Sequence, residues 1–228
     1  MLKLYIGNKN YSSWSMRPWV LLTQLQIPFE EVMVRFDSFD GDSAFKRVLA
    51  GINPAGKVPV LVDDGFPVWD TLAMTEYIAE GFPQHGVWPQ GRLARARARS
   101  ICAEMHSGFA ALRSHCPMNV EAVLPEVGAR VWQEQAAVRS DVERIASMWT
   151  GLLQQHGGPM LFGGFSAADA YFAPVCLRIK TYGLPVPEPV QGYIGRVLAL
   201  PGVHAWIEGA LAEHDFVPFD EPYRTSRG

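Results

Sequence analysis

Residues 53–69 read NPAGKVPVLVDDGFPVW, and this stretch decides the fold. Val58 to Val62 and Phe66 to Trp69 are short apolar runs flanking Asp63-Asp64-Gly65, a hairpin-turn signal. Ahead of them, Asn53-Pro54-Ala55-Gly56-Lys57 is loop chemistry leading into a strand, and the residue before Pro59 is biased towards extended backbone. Such a loop suits a cis peptide before Pro59 that exposes the amide and carbonyl of Val58 to a peptide-like ligand.

Working outward to the N-terminus, Leu2, Leu4 and Ile6 alternate with Lys3 and Tyr5 as in a strand, and a helix then runs to about Gln26. Phe29 to Val34 reads as a second strand. A helix near Ser43 to Leu49 follows a loop containing Asp37, Asp40, Gly41 and Asp42. After the hairpin, a further helix spans about Leu72 to Glu80. The order β-α-β-α-β-β-α, a parallel crossover followed by a hairpin, is the thioredoxin-like arrangement. Residues 83–91 carry Pro83, Gly86, Pro89 and Gly91 and read as a linker between units at 1–82 and 92–228.

Beyond the linker, strand patterns disappear. From Pro125 to Gln155 apolar residues including Val131, Val138, Val142, Ile145, Trp149 and Leu152 form one stripe, stopped by Gly157-Gly158. Ser166 to Asp169 resembles a capping box opening the next helix, with Asp in place of the usual Glu or Gln. Shorter helices follow at Val190 to Leu198 and Val203 to His214.

Composition narrows the function classes. A chain of 228 residues with 48% hydrophobic and 19% charged residues can bury a substantial core. A net charge of −3 argues against a general nucleic-acid binder, which needs a basic face. Arg92, Arg95, Arg97 and Arg99 cluster at a helix start, where they gain nothing from the dipole, and read as a solvated or subunit-facing stripe. No segment reaches membrane-spanning length, and no signal peptide is visible. Cys102, Cys116 and Cys176 have no CxxC or metal-type spacing, which points to reduced, structural thiols and a cytoplasmic protein. The histidines have no metal-type spacing either, so no metal is expected.

Ser12-Ser13-Trp14-Ser15-Met16-Arg17 sits at the first strand-to-helix junction. Free amides and the helix dipole favour an anion there, and a hydroxyl can donate to a thiolate. Lowering a bound thiol's pKa by about two units needs roughly 2.7 kcal/mol of preference for the thiolate, within reach of a few such donors. The alternative is that Ser12 or Ser13 merely caps the helix. Asp70-Thr71 likewise either holds a carboxylate at a helix N-terminus or caps that helix.

The three motifs together, Ser12 to Arg17, Asn53 to Val60 and Trp69 to Ala73, resemble the glutathione-transferase family over essentially the whole chain. The resemblance implies a thioredoxin-like N-terminal domain followed by an all-α domain. It implies glutathione as co-substrate, with Ser12 as thiolate donor and Ser13 as fallback, and with Lys57, Val58 and Pro59 at the cysteinyl backbone and Asp70 and Thr71 at the γ-glutamyl end. Asp70-Thr71 departs from the commoner Glu-Ser or Gln-Ser. The serine motif resembles the zeta class, which includes maleylacetoacetate isomerases, although Trp14 stands where that class has cysteine and Pro18-Trp19 where it has Val-Arg. Three readings follow: conjugation of the thiolate to a small hydrophobic electrophile, cis-trans isomerisation with glutathione returned, or a binding protein without turnover. By the same resemblance Met105, His106 and Phe109 line the electrophile cleft, with core packing an equal alternative for Met105 and Phe109, and the chain forms a homodimer.

Overall fold

A computed structural model describes residues 1–227. Strand β1 (Leu2–Ile6) leads into helix α1 (Ser13–Gln24), strand β2 (Glu30–Met33), helix α2 (Ala44–Ala50), strands β3 (Val60–Asp63) and β4 (Phe66–Trp69), and helix α3 (Thr71–Gly81). The sheet order is β2-β1-β3-β4, with β1 parallel to β2 and antiparallel to β3. The register sets Leu4 opposite Leu61 and Tyr5 opposite Val60. Because side chains alternate along a strand, this splits the sheet into two apolar faces. Leu2, Leu4, Ile6 and Leu61 join the large core, while Val60 joins Val34, Phe45 and Leu49 under α2. Both faces are covered, so a slip of one residue in the hairpin would send each side chain to the core on the other face, whose packing it does not fit.

Seven helices follow: α4 (Arg92–Ser107), α5 (Ala110–His115), α6 (Pro125–Glu134), α7 (Ala136–His156), α8 (Ala167–Tyr182), α9 (Glu188–Leu198) and α10 (Pro201–Glu213). None is long and apolar enough to cross a membrane. α8 is buried along almost its whole length and packs on α1, α4, α6 and α9, which makes it the axis of the helical half. Its start is fixed by the box read from sequence: the buried Asp169 carboxylate accepts from the Ser166 amide at 2.9 Å, and also from Leu161 N–H at 3.2 Å and the Tyr193 hydroxyl at 3.0 Å. Those three bonds satisfy donors that burial would otherwise leave unpaired.

The single stripe expected over Pro125 to Gln155 is two helices, broken at Gln135 (φ −108°, ψ 88°). No Gly or Pro marks the break. Arg139 reaches back to the freed carbonyls of Trp132 and Gln133, taking the place of helix bonds across the junction. In the arginine run of α4, Arg99 pairs with Glu76 at 2.8 Å and Arg95 donates to the carbonyls of Pro89 and Gln90. The three cysteines are buried free thiols.

Candidate functional site

The site begins where the chain turns from β1 into α1. Asn8 carbonyl accepts the amides of Tyr11 (3.1 Å) and Ser12 (2.8 Å), and Ser13 N–H bonds Tyr11 carbonyl at 2.9 Å. These bonds aim α1 so that the Trp14 and Ser15 amides, its next two N–H groups, have no carbonyl acceptor among the described residues. Neither serine caps the helix with its side chain. Ser12 Oγ lies 2.7 Å from Ser15 Oγ, which in turn accepts Gly7 N–H at 3.1 Å. Ser13 Oγ accepts from Nη2 of Arg178, on α8, at 3.1 Å.

The loop ahead of β3 is tied to itself. Asn53 Nδ2 donates to Lys57 carbonyl at 2.7 Å, and Asn53 Oδ1 accepts Ala55 N–H at 2.9 Å. Lys46 Nζ on α2 holds Gly56 carbonyl at 2.7 Å. The Val58-Pro59 peptide is cis, and the Val58 amide and carbonyl have no hydrogen-bond partner among the described residues. A rigid loop therefore offers one free donor and one free acceptor to an extended peptide backbone.

At the start of α3, Asp70 adopts φ 72°, a backbone conformation that costs a non-glycine residue about 1–3 kcal/mol. Its Oδ1 accepts Leu72 N–H at 2.9 Å, and its Oδ2 lies 3.2 Å from His106 Nε2. The other ring nitrogen, Nδ1, is 3.5 Å from Thr71 Oγ1. Trp14 meets the same ring edge-on, with centroids 4.9 Å apart.

These three segments line two adjoining cavities, of about 740 and 350 Å³. The smaller is bounded by Asn53, Pro59, Trp69, Asp70, Thr71 and His106. The larger is bounded by Ser12, Ser13, Phe39, Lys46, Arg178 and Asp220 among others. Trp14, Lys57, Val58 and Arg113 border both, so the two spaces form one cleft. Of the three residues expected on α4, only His106 borders it, on the smaller side. Met105 and Phe109 are 1% and 7% exposed, belong to the core and face neither cavity. The register of α4 turns Met105 inward, whereas Phe109 lies past the end of α4, at φ 55° just before α5, and packs into the core from there; the outer wall comes from α5 through Ala110, Arg113 and Ser114.

The cleft wall is cationic through Lys46, Lys57, Arg113 and Arg178, and Arg17 is buried behind it. Arg17 and Arg113 both pack against the Trp14 ring, 4.0 and 5.0 Å from its centroid. None of Arg17, Arg113 and Arg178 has a carboxylate within 4.0 Å among the described residues. Two nitrogens of Arg17, Nε and Nη1, have no hydrogen-bond partner among the described residues. Burial pulls both Arg17 and Arg178 down to about 10, so both stay protonated at neutral pH. Asp220 is the acid on this wall, and burial raises its pKa while Arg178 opposes the shift. A buried positive group without a paired carboxylate favours an arriving anion.

Sequence reasoning missed Arg113, Arg178 and Lys46. Arg178 left one signal, a lone arginine inside the apolar run Phe172 to Ile179. Arg113 left none, since its place depends on how α5 packs.

Comparison with known proteins matches residues 11–80 to the glutathione S-transferase N-terminal domain and residues 93–209 to the glutathione S-transferase C-terminal domain. A probable maleylacetoacetate isomerase of Caenorhabditis elegans is 29% identical, over 86% of this chain and 87% of its own. The maleylacetoacetate isomerase of Rattus norvegicus is 28% identical over 86% of each. Glutathione S-transferase 1 of Dianthus caryophyllus is 26% identical, over 82% of this chain and 81% of its own. Among solved structures, a glutathione transferase homolog from Burkholderia gl BGR1 with bound glutathione superposes with a TM-score of 0.68 at 26% identity, covering 92% of this chain and 98% of that one.

Proposed function

The chain belongs to the glutathione S-transferase family, and on that footing we propose that it binds glutathione along the cleft and delivers its thiolate to a small electrophile. In this reading the γ-glutamyl end lies in the smaller cavity, against Asp70 and Thr71 at the positive end of α3. The cysteinyl backbone pairs with Val58, beside Lys57 and Pro59. The sulfur then reaches the first turn of α1, where Ser12 and Ser13 both border the larger cavity.

The observation that carries this reading is the union of the two cavities at Trp14, Lys57, Val58 and Arg113. A ligand anchored in one is led to unpaired amides and hydroxyls at the edge of the other. There the thiol proton passes to solvent, and donors already in place stabilise the sulfur's negative charge. A carbon–sulfur bond forms to the electrophile, and the leaving group departs with its electron pair or the adduct takes up a proton. Phe39 and Met118 supply apolar wall for the second substrate. No step calls for a metal.

The experiment is titration calorimetry with glutathione, followed by a thiol-consumption assay on a panel of aryl halides and activated alkenes. Uptake of one glutathione per chain with consumption of thiol is expected. A folded protein that takes up no glutathione overturns the reading.

The several relatives named as maleylacetoacetate isomerases favour a second reading, cis-trans isomerisation in which the thiolate adds and leaves again. Turnover of maleylacetoacetate with the glutathione pool unchanged marks that activity. Three exposed apolar side chains, Leu93 at the start of α4 and Phe66 and Trp69 at the two ends of the edge strand β4, support a homodimer.

A further inference from the structure

Two hydroxyl chains end in the larger cavity, and they differ in what stands behind them. In the first, Gly7 N–H donates to Ser15 Oγ, and Ser15 and Ser12 share a bond of 2.7 Å. Every member is neutral. In the second, the Arg178 guanidinium donates to Ser13 Oγ at 3.1 Å. Its other terminal nitrogen holds the Cys116 carbonyl, which fixes the fork.

Resting on the glutathione reading above, we propose that Ser13 is the hydroxyl that holds the bound thiolate, and that Arg178 is the positioning residue that orients and polarises it. Because Ser13 Oγ already accepts from a cation, its own proton is turned away from Arg178 and free to donate into the cavity. A hydrogen bond from an ionised donor is roughly twice as strong as a neutral one, and bonds in series strengthen one another. Ser12, by contrast, is bonded to Ser15, a neutral hydroxyl backed only by an amide. Arg178 is 6% exposed and has no carboxylate within 4.0 Å among the described residues, so little solvent screens it and no ion pair neutralises it. Arg17 and Arg113 add to the positive field from α1 and α5, and Asp220 opposes it from the C-terminal segment. The helical half of the chain thereby sets the acidity of a thiol that the other half binds.

The test is the pKa of glutathione's thiol on the enzyme, followed through ultraviolet thiolate absorbance against pH, with uptake measured by calorimetry in parallel. Ser13→Ala and Arg178→Met are each expected to raise it by about one unit, a tenfold loss of thiolate, and the double variant by no more than either alone. Arg178→Lys, which keeps the charge, restores part of the shift. Ser12→Ala moves it by less than about 0.3 unit. The acid limb of kcat/KM should move with the thiol, which lost packing alone would not produce. If Arg178→Met fails to fold, Ser13→Ala decides alone, since it removes one oxygen from the first helical turn. A shift from Ser12→Ala as large as that from Ser13→Ala overturns the proposal in favour of the neutral chain. Wild-type protein that binds no glutathione overturns the parent reading and this one together.

Discussion

The Cys116 thiol lies near Arg178, yet burial outweighs that cation and pushes it up to about 12 from an ordinary 9.0. A thiol held protonated in the native state while the unfolded chain ionises it weakens folding as pH rises. The loss is absent below pH 9 and grows by about 1.4 kcal/mol per unit towards pH 12. Urea unfolding of Cys116→Ala should therefore show a shallower decline than wild type, by about 2 kcal/mol between pH 9 and 10.5. Parallel declines would mean that the thiol is not shielded as its burial implies. The same residue shows what a sequence conveys. That Cys116 is buried and unreactive follows from its type and spacing, whereas its neighbour Arg178 could not be placed beside Ser13, because 165 residues of chain separate them. Ser12, Ser13, Val58 and Asp70 were legible as cleft residues because each sits in a local motif whose backbone must turn.

At the level of elements, contact between α6 and α8 depends on Gly128. A Cβ built there would lie 1.7 Å from the Tyr182 carbonyl oxygen, so the helices meet backbone to backbone. Gly128→Ala must push α6 away and should lower stability by about 3 kcal/mol, read as a drop in the urea midpoint. An unchanged midpoint would show that α6 moves without disturbing the core. Helix boundaries were legible where side chains set them: Ser43 caps α2 by accepting Lys46 N–H at 3.1 Å, and Ser166 and Asp169 open α8. The break at Gln135 was not, because Val131 and Val138 keep an unbroken seven-residue step across it, and the Arg139 bonds that replace the helix bonds carry no sequence signature. Met105 and Phe109 take the core place that the sequence left open beside the cleft: an apolar residue there can face either way, and periodicity alone does not say which side is lined.

For the molecule as a whole, the exposed Leu93, Phe66 and Trp69 bear on assembly. If they form the seam of the inferred homodimer, sedimentation equilibrium should give a mass near twice the chain's 25.3 kDa. Leu93→Glu with Trp69→Glu should shift it to monomer, because two buried charges per subunit without partners cost several kcal/mol. A wild type that stays monomeric at micromolar concentration would remove the dimer. The two-part architecture was legible because the change from strand to helix patterns is global, spread over scores of residues, and survives errors at any one of them.

The turn that carries Ser12 and Ser13 is fastened by groups from far along the chain: Glu213 accepts Lys9 N–H, Asp215 accepts Asn8 Nδ2, and Glu221 accepts the Tyr11 hydroxyl. Asn8 and Asp215 are 207 positions apart. On the ribosome, the loop is made 204 to 210 positions ahead of its fastenings. A nascent chain can assemble its sheet early, but the reactive corner stays unset until synthesis has passed residue 221, which delays thiol chemistry until the helical half has been made.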